Sequence, residues 1–96
     1  MAESDDRRNG RLSAGELSQA ALKTVRELTG YRPEAVTALE WDGELWRITV
    51  DALELARIPN TTDVLGSYVV QLDGSGTLHG YRRTRRYLRA QAEEEE

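Results

Sequence analysis

The 96-residue chain contains no cysteine and one histidine, His79, and it has no long hydrophobic run. Without cysteine, neither disulfides nor thiolate metal sites can form, and one histidine cannot assemble a transition-metal site by itself. No apolar stretch approaches the roughly 20 residues of a membrane-spanning helix, and the polar N-terminus does not match a signal peptide. We therefore expect no metal or other cofactor, no membrane association and a cytoplasmic location.

The net charge of −4 is unevenly distributed along the chain. Residues 13–89 contain ten acidic and ten basic residues, so the run from Glu93 to Glu96 supplies the excess negative charge. Half of those basic residues form an arginine stripe near the C-terminus: Arg82, Arg83, Arg85, Arg86 and Arg89. A basic stripe beside an acidic tail indicates an interaction surface.

A chain of this length forms one hydrophobic core. We expect a disordered N-terminal segment over residues 1–12, a single domain over 13–89 and a disordered acidic tail over 90–96, because the terminal segments lack hydrophobic periodicity. Ser13 and Glu16 match a capping box that starts a helix, and Gly30 suits a left-handed C-cap. The apolar face of that helix is Leu17, Ala21, Thr24, Val25 and Leu28.

The rest of the domain favours antiparallel strands. Asp42-Gly43 is a strong two-residue turn signal that would pair Trp41 with Glu44 and Leu39 with Trp46. The resulting helix-facing side is Leu39, Trp41, Trp46, Ile48 and Val50. Apolar positions shift parity after Val50, which predicts a bulge or bend at Asp51-Ala52.

Residues 64–72 are nearly all apolar and predict a central third strand, followed by a Gly-rich turn and a fourth strand over 77–88. The predicted fold class is α+β, with one N-terminal helix packed on a three- to four-stranded antiparallel β-meander.

No residue pattern indicates catalysis. His79 has no nucleophile or carboxylate beside it in sequence, as an acid–base site would require. Asp63 is better explained as a turn residue whose carboxylate accepts local amide hydrogen bonds. Trp41 and Trp46 fit the end of a small core better than a ligand platform. We therefore expect that the protein is not an enzyme.

The arginine stripe is the strongest candidate site. Arginine makes bidentate, weakly hydrated contacts that suit interfaces, and tyrosines flank the stripe. The predicted partner-binding residues are Tyr81, Arg82, Arg83, Arg85, Arg86, Tyr87 and Arg89. A solvated edge strand that blocks aggregation is the structural alternative. Nucleic acid is the other possible partner, but the overall acidity and the glutamate tail favour a protein.

Strand alternation predicts how the stripe divides between the two sides of the sheet. Arg83, Arg85 and Tyr87 would share one side with Tyr81, and Arg82 and Arg86 the other. Because one side must cover the core, we expect the strand to extend past the sheet near Thr84.

Three linked motifs give the chain a resemblance to a known family. They are Arg57-Ile58-Pro59-Asn60-Thr61-Thr62-Asp63-Val64-Leu65, then Tyr68 with Leu72-Asp73, then Gly80-Tyr81-Arg82-Arg83 with Arg86-Tyr87. On these residues the chain resembles the gas vesicle protein O family over most of its length. It departs at Asn60, where the family often has an acid, and at Val69 and Gln71, where the family's strand is more charged.

The resemblance implies a non-enzymatic accessory role in gas vesicle formation and organisation. The partners implied are other gas vesicle proteins, contacted in the cytoplasm or at the gas vesicle. A nucleic-acid or transcript regulator that uses the arginine stripe is the alternative.

Overall fold

The computed structural model describes residues 11–91. Helix α1 (Ala14–Thr29) precedes strands β1 (Arg32–Trp41), β2 (Trp46–Leu55), β3 (Val64–Leu72) and β4 (Leu78–Leu88). The strands form one antiparallel sheet in the order β1-β2-β3-β4. A 3₁₀ turn over Asn60–Thr62 lies between β2 and β3. The predicted α+β fold, one helix on an antiparallel meander, is confirmed with four strands.

Helix α1 has the predicted caps. Ser13 Oγ accepts from the Glu16 amide at 3.2 Å, and Glu16 Oε1 accepts from the Ser13 amide at 2.9 Å. Gly30 ends the helix with a φ of 76°, which favours glycine. The helix buries Leu17, Ala21 and Val25 completely, but Leu28 is 47% exposed. Leu28 lies on the same side of the helix as Leu17, three turns later, but it is in the last turn of α1, and its predicted burial is wrong.

The β1–β2 connection is a loop over residues 42–45, and the predicted two-residue turn is wrong. Asp42 Oδ1 accepts from the amides of Glu44 at 2.9 Å and Leu45 at 2.8 Å, which closes this longer loop. Trp41 therefore pairs with Trp46, two residues away from the predicted register. A shift of two residues keeps side chains on the same side of the sheet, whereas a shift of one would invert them.

The bulge predicted at Asp51-Ala52 lies at Glu54 instead, where the β2–β3 register shifts between Leu53 and Leu55. Ala52 is fully buried and continues the alternation of Ile48 and Val50. The irregularity at Asp51-Ala52 lies on the partner strand, because β1 has an extra residue between Pro33 and Ala35, which pair with Ala52 and Asp51. Glu54 continues the alternation of Ile48, Val50 and Ala52, so it lies on the helix-covered side, where it meets Tyr68.

The core lies between α1 and the sides of β2 and β3 that face the helix. Its buried members are Leu17, Ala21, Val25, Ile48, Val50, Ala52, Tyr68, Val70 and Leu72. Ile48 and Val50 are core residues as predicted, and Leu39 and Trp46 pack against the core while partly exposed. Trp41 remains 45% exposed, with its ring centroid 5.4 Å from that of Trp46. Strand β3 pairs on both sides, so it is central as predicted.

Leu12 and Gln91 make ordered contacts close to the two ends of the described chain. The Leu12 amide donates to the Gly74 carbonyl at 2.7 Å, and its side chain packs against the core. Gln91 Oε1 accepts from the Leu88 amide at 2.9 Å. Leu12 therefore contacts the folded unit, while the predicted domain boundaries stay predictions. Residues 1–10 and 92–96 of the predicted terminal segments lie outside the described residues.

Candidate interaction surface

Strand β4 is an edge strand that stays paired with β3 from Leu78 to Leu88. The expectation that it leaves the sheet near Thr84 is wrong. Thr84 instead forms a bulge, because Tyr68 pairs with Arg83 and Ser67 pairs with Arg85. The Thr84 hydroxyl donates to the Ser67 carbonyl at 3.3 Å, which ties the extra residue to the neighbouring strand.

The bulge changes which arginines share a side of the sheet. We call the side that α1 packs against the helix side and the opposite one the open side. Tyr81, Arg83 and Arg86 pair with residues of the helix side, and Arg82, Arg85 and Tyr87 with residues of the open side. The predicted grouping of Arg83, Arg85 and Tyr87 with Tyr81 is therefore wrong, since one extra residue inverts the alternation.

On the helix side, Arg83 and Arg86 bind one buried carboxylate. Arg83 Nη1 lies 3.0 Å and Arg86 Nε 3.2 Å from Oε1 of Glu54. The Glu54 side chain is 1% exposed, whereas the arginine side chains are 45% and 56% exposed. The Tyr68 hydroxyl donates to Glu54 Oε2 at 2.6 Å. Burial, reinforced by this hydrogen bond, raises the pKa of Tyr68.

On the open side, Tyr87 is a buried residue that supports Arg85. The Tyr87 hydroxyl donates to Asp51 Oδ2 at 2.6 Å, and Ser67 Oγ donates to Asp51 Oδ1 at 2.7 Å. Burial and the Asp51 carboxylate raise the pKa of Tyr87 to about 12. The Arg85 guanidinium lies 4.2 Å from the centroid of the Tyr87 ring, a cation–π distance. A partner on this side would meet Arg85 before the ring.

Arg89 lies just beyond β4 and joins two distant parts of the chain. Its Nη2 is 2.9 Å from Glu34 Oε2 of β1, and its Nε donates to Asp63 Oδ2 at 3.1 Å. Asp63 Oδ1 accepts from the Arg57 amide at 2.8 Å, so the local amide contact predicted for Asp63 is confirmed. That amide, followed by Arg89, lowers the pKa of Asp63. Arg89 thus ties β1, the end of β4 and the β2–β3 loop together.

Within the arginine stripe, Arg82 is exposed and forms no ion pair with any residue of the described chain. It lines a shallow polar depression on the open side together with Glu40, Arg47, Thr49, Val69, Gln71, Gly80 and Tyr81. Arg82 and Arg85 are the exposed arginines of the stripe that lie on the side away from α1.

The carboxylate of Asp73, six residues earlier in the chain, lies beside His79. His79 Nε2 is 3.0 Å from Asp73 Oδ2, and Asp73 Oδ1 accepts from the Ser75 and Thr77 amides. Hydrogen bonds from Ser75 and then His79 hold the pKa of Asp73 well below its usual range. The contacts close the β3–β4 turn. Over residues 11–91, no three His, Asp or Glu side chains are grouped to hold a metal, and no helix is long and apolar enough to cross a membrane.

Asp51 and Glu54 are the site residues that the sequence analysis did not identify. They are acidic positions in an otherwise apolar stretch of β2, within a chain whose last strand is rich in arginine. That contrast was the available signal. It could not assign partners, because the bulge at Thr84 decides which arginines lie on the same side of the sheet as Glu54.

Comparison with known proteins decides the family. The profile of the family described as gas vesicle synthesis protein GvpO matches residues 1–93. The chain belongs to this family. Gas vesicle protein O from Streptomyces sp. (strain CB03234) is 44% identical over 75 residues, which cover 78% of the chain and 59% of that relative. The resemblance seen in the three motifs is thus confirmed.

Two archaeal relatives are more distant. Gas vesicle protein O1 of Halobacterium salinarum is 33% identical over 75 residues, which cover 78% of the chain and 63% of that protein. Gas vesicle protein O of Haloferax mediterranei is 34% identical over 76 residues, which cover 78% of the chain and 54% of that protein. The chain therefore spans less than two thirds of the length of each of these relatives. No solved structure gives a significant match.

Proposed function

We propose that this protein is a non-enzymatic accessory factor in gas vesicle formation that acts by contacting other gas vesicle proteins. Membership of a gas vesicle synthesis family supports a role in gas vesicle formation. The observation that supports the contact surface is the exposure of Arg82 and Arg85 on the open side of an edge strand. Exposed charges of this kind guide the association of two proteins.

The seven predicted partner-binding residues have different parts in the proposed contact, because Tyr81, Arg83 and Arg86 lie on the helix side. Arg82 and Arg85 contact the partner directly, with Tyr81 exposed on the same strand. Arg83 and Arg86 are secondary: each has five N–H donors, and the Glu54 contacts leave donors directed to solvent. Tyr87 and Arg89 position the strand through Asp51 and Asp63.

A protein partner fits the open side better than nucleic acid does. Glu40 pairs with Arg47 across β1 and β2, and both line the same depression as Arg82. A phosphate backbone would meet the Glu40 carboxylate beside the arginines, whereas a protein surface can present a complementary mixture of charges. The partner is therefore expected to place carboxylates opposite Arg82 and Arg85.

The test removes the positive charges of Arg82 and Arg85 and measures how well the protein captures every other protein encoded in the gas vesicle gene cluster. Arg82→Gln combined with Arg85→Gln should weaken capture while leaving the melting temperature close to that of the wild type. Arg11→Gln combined with Lys23→Gln is the matched control, since it removes two exposed positive charges that lie outside β4.

Undiminished capture by the Arg82/Arg85 variant would contradict the proposed surface. Loss of nucleic-acid binding, with capture of gas vesicle proteins intact, would instead favour the nucleic-acid regulator.

A further inference from the structure

The loop over residues 56–63, between β2 and β3, holds Ile58 entirely in solvent. Ile58 is 100% exposed, whereas Val64 at the start of β3 is 9% exposed. Hydrophobic stabilisation is proportional to the apolar area that folding removes from water. Ile58 therefore contributes nothing of this kind to the fold, and folding stability does not explain an isoleucine at this position.

Hydrogen bonds on both sides of Ile58 fix the loop. The Arg57 amide donates to Asp63 Oδ1 at 2.8 Å. The Pro59 carbonyl accepts from the Thr62 amide at 3.1 Å and from its hydroxyl at 2.8 Å. Arg89 holds Asp63 from the far side, through its side chain and its amide. A loop that is ordered before binding loses little conformational entropy when it docks.

Further exposed leucines lie at the same end of the molecule. Leu55 and Leu88 both pair with Val64 and are 45% and 38% exposed. Helix α1 also ends here, because Gly30 leads directly into β1, and Leu28 in its last turn is 47% exposed. Single exposed apolar residues are ordinary, but a group at one end marks a contact site. We call Leu28, Leu55, Ile58 and Leu88 the loop-end surface.

The charges around the loop-end surface favour an acidic partner. The nearby carboxylates of Glu34, Glu54 and Asp63 are each bound by arginine. Arg32 and Arg57 are exposed and have no ion pair within residues 11–91, and Arg26 is exposed in the last turn of α1. The one exposed acid in that turn is Glu27. The rim therefore carries excess positive charge.

We infer that the loop-end surface is a second docking surface, on which Ile58 inserts into an apolar pocket with an acidic rim on another gas vesicle protein. The inference rests on the proposed function, because it takes the partner from the same assembly. It uses different residues from the open side of β4, so the two surfaces can be tested separately. Apolar anchors seated in such pockets carry most of the binding energy of an interface.

The test compares Ile58→Ser with Ile58→Val in quantitative binding to each purified product of the gas vesicle gene cluster. The serine variant should bind at least about tenfold more weakly, whereas the valine variant, which keeps an apolar side chain, should stay within about threefold. Thr61→Ser, at another exposed position of the same loop, is the control. Arg57→Glu should also weaken binding through repulsion by the acidic rim, and Lys23→Glu on α1 should not.

Three outcomes would contradict the inference. Equal affinity of Ile58→Ser and the wild type for every protein bound would overturn it and leave the Arg82/Arg85 surface standing. A wild-type dimer that Ile58→Ser dissociates in sedimentation would assign the surface to self-association. If the wild type binds no gas vesicle protein, both proposals fail. Ile58 is fully exposed, so melting temperatures should be unchanged; if Ile58→Ser unfolds, Arg57→Glu and its Lys23→Glu control decide the question.

Discussion

The carboxylate of Glu54 occupies the space in which a Cβ atom on Gly66 would lie. Gly66 pairs with Ala52 of β2, so two small residues face each other just before the bulge at Glu54. The space that they leave allows a carboxylate to lie under the edge of the sheet, within reach of Arg83 and Arg86. A missing side chain on β3 thus determines where the arginines of β4 are held.

Gly66→Ala should destabilise the protein by about 1–3 kcal/mol or more. The added methyl group overpacks the site and displaces the Glu54 carboxylate from its partners. Gly15→Ala is the matched control, because the nearest atom to a Cβ there is Ser13 Oγ at 3.9 Å. In a helix that change is neutral or stabilises by up to about 1 kcal/mol. Urea unfolding measures both, and equal unfolding free energies for Gly66→Ala and the wild type would contradict this account.

Replacing Arg83 and Arg86 should lower the free energy of unfolding more than replacing Glu54. Arg83→Gln combined with Arg86→Gln leaves the 1% exposed carboxylate of Glu54 without a counter-charge, which costs about 3–5 kcal/mol. Glu54→Gln leaves two guanidinium groups that are already half exposed and that water can solvate, so it should cost about 1–3 kcal/mol. Chemical denaturation of the two variants gives the comparison, and the reverse order would show that Glu54 is solvated in the folded protein.

This asymmetry also determines which arginines are suitable for a binding test. Replacing the whole stripe would combine a folding defect with a binding defect. Replacing Arg82 and Arg85 leaves both arginines that bind Glu54 in place, and for that reason this pair is chosen for the capture experiment.

Local signals in the sequence predicted most of the fold. The capping box at Ser13 and the glycine after the helix are short-range features, and the structure has both. The apolar run of β3 correctly indicated a central strand, because only a strand with neighbours on both sides can bury so many of its residues.

Positions that depend on long-range register could not be predicted. A bulge at Thr84 inverts the strand beyond it, yet nothing in the Arg82–Tyr87 segment shows where the extra residue lies. The prediction of a two-residue turn at Asp42-Gly43 was wrong for a related reason. The Asp42 carboxylate accepts hydrogen bonds from two amides, and these stabilise a longer connection than Asp-Gly alone favours. In both places a side chain of the folded protein decides the backbone path.

The protein should lose stability as pH rises above about 10. Burial and Asp51 raise the folded-state pKa of Tyr87 to about 12, whereas an unfolded tyrosine has a pKa of about 10. The contribution of this hydroxyl is complete below pH 10 and is lost as the pH rises towards 12. The pKa of Tyr68 is raised as well. Tyr87→Phe should therefore reduce the fall in unfolding free energy between pH 10 and 12, and Tyr68→Phe combined with Tyr87→Phe should nearly remove it.

Urea midpoints measured at several pH values between 8 and 12 test this alkaline loss. Tyr81→Phe is the control, since Tyr81 is 41% exposed. At pH 8 the Tyr87→Phe change itself should cost about 1–3 kcal/mol, through the lost hydrogen bond to Asp51. A wild-type midpoint that stays constant up to pH 12 would refute the assignment.

The β2–β3 loop should loosen in acid, and Asp63 should be the residue responsible. The Arg57 amide and Arg89 lower the pKa of Asp63 in the folded state, so its ionised form stabilises the protein above the unfolded value of about 3.9. That contribution is lost as the pH falls through the lower folded-state pKa. Asp63→Asn should therefore lower the melting temperature at pH 7, and the difference from the wild type should shrink as the pH falls below about 3.9.

Hydrogen exchange at the Arg57 amide reports the same loosening locally, because that amide donates directly to Asp63 Oδ1. Exchange at Arg57 should accelerate in Asp63→Asn at pH 7, while the core amide of Val70 keeps its protection. Glu44→Gln, in the exposed β1–β2 loop, is the control for loss of a negative charge. If the rate at Arg57 is the same in Asp63→Asn and in the wild type, then Asp63 does not hold the loop that presents Ile58.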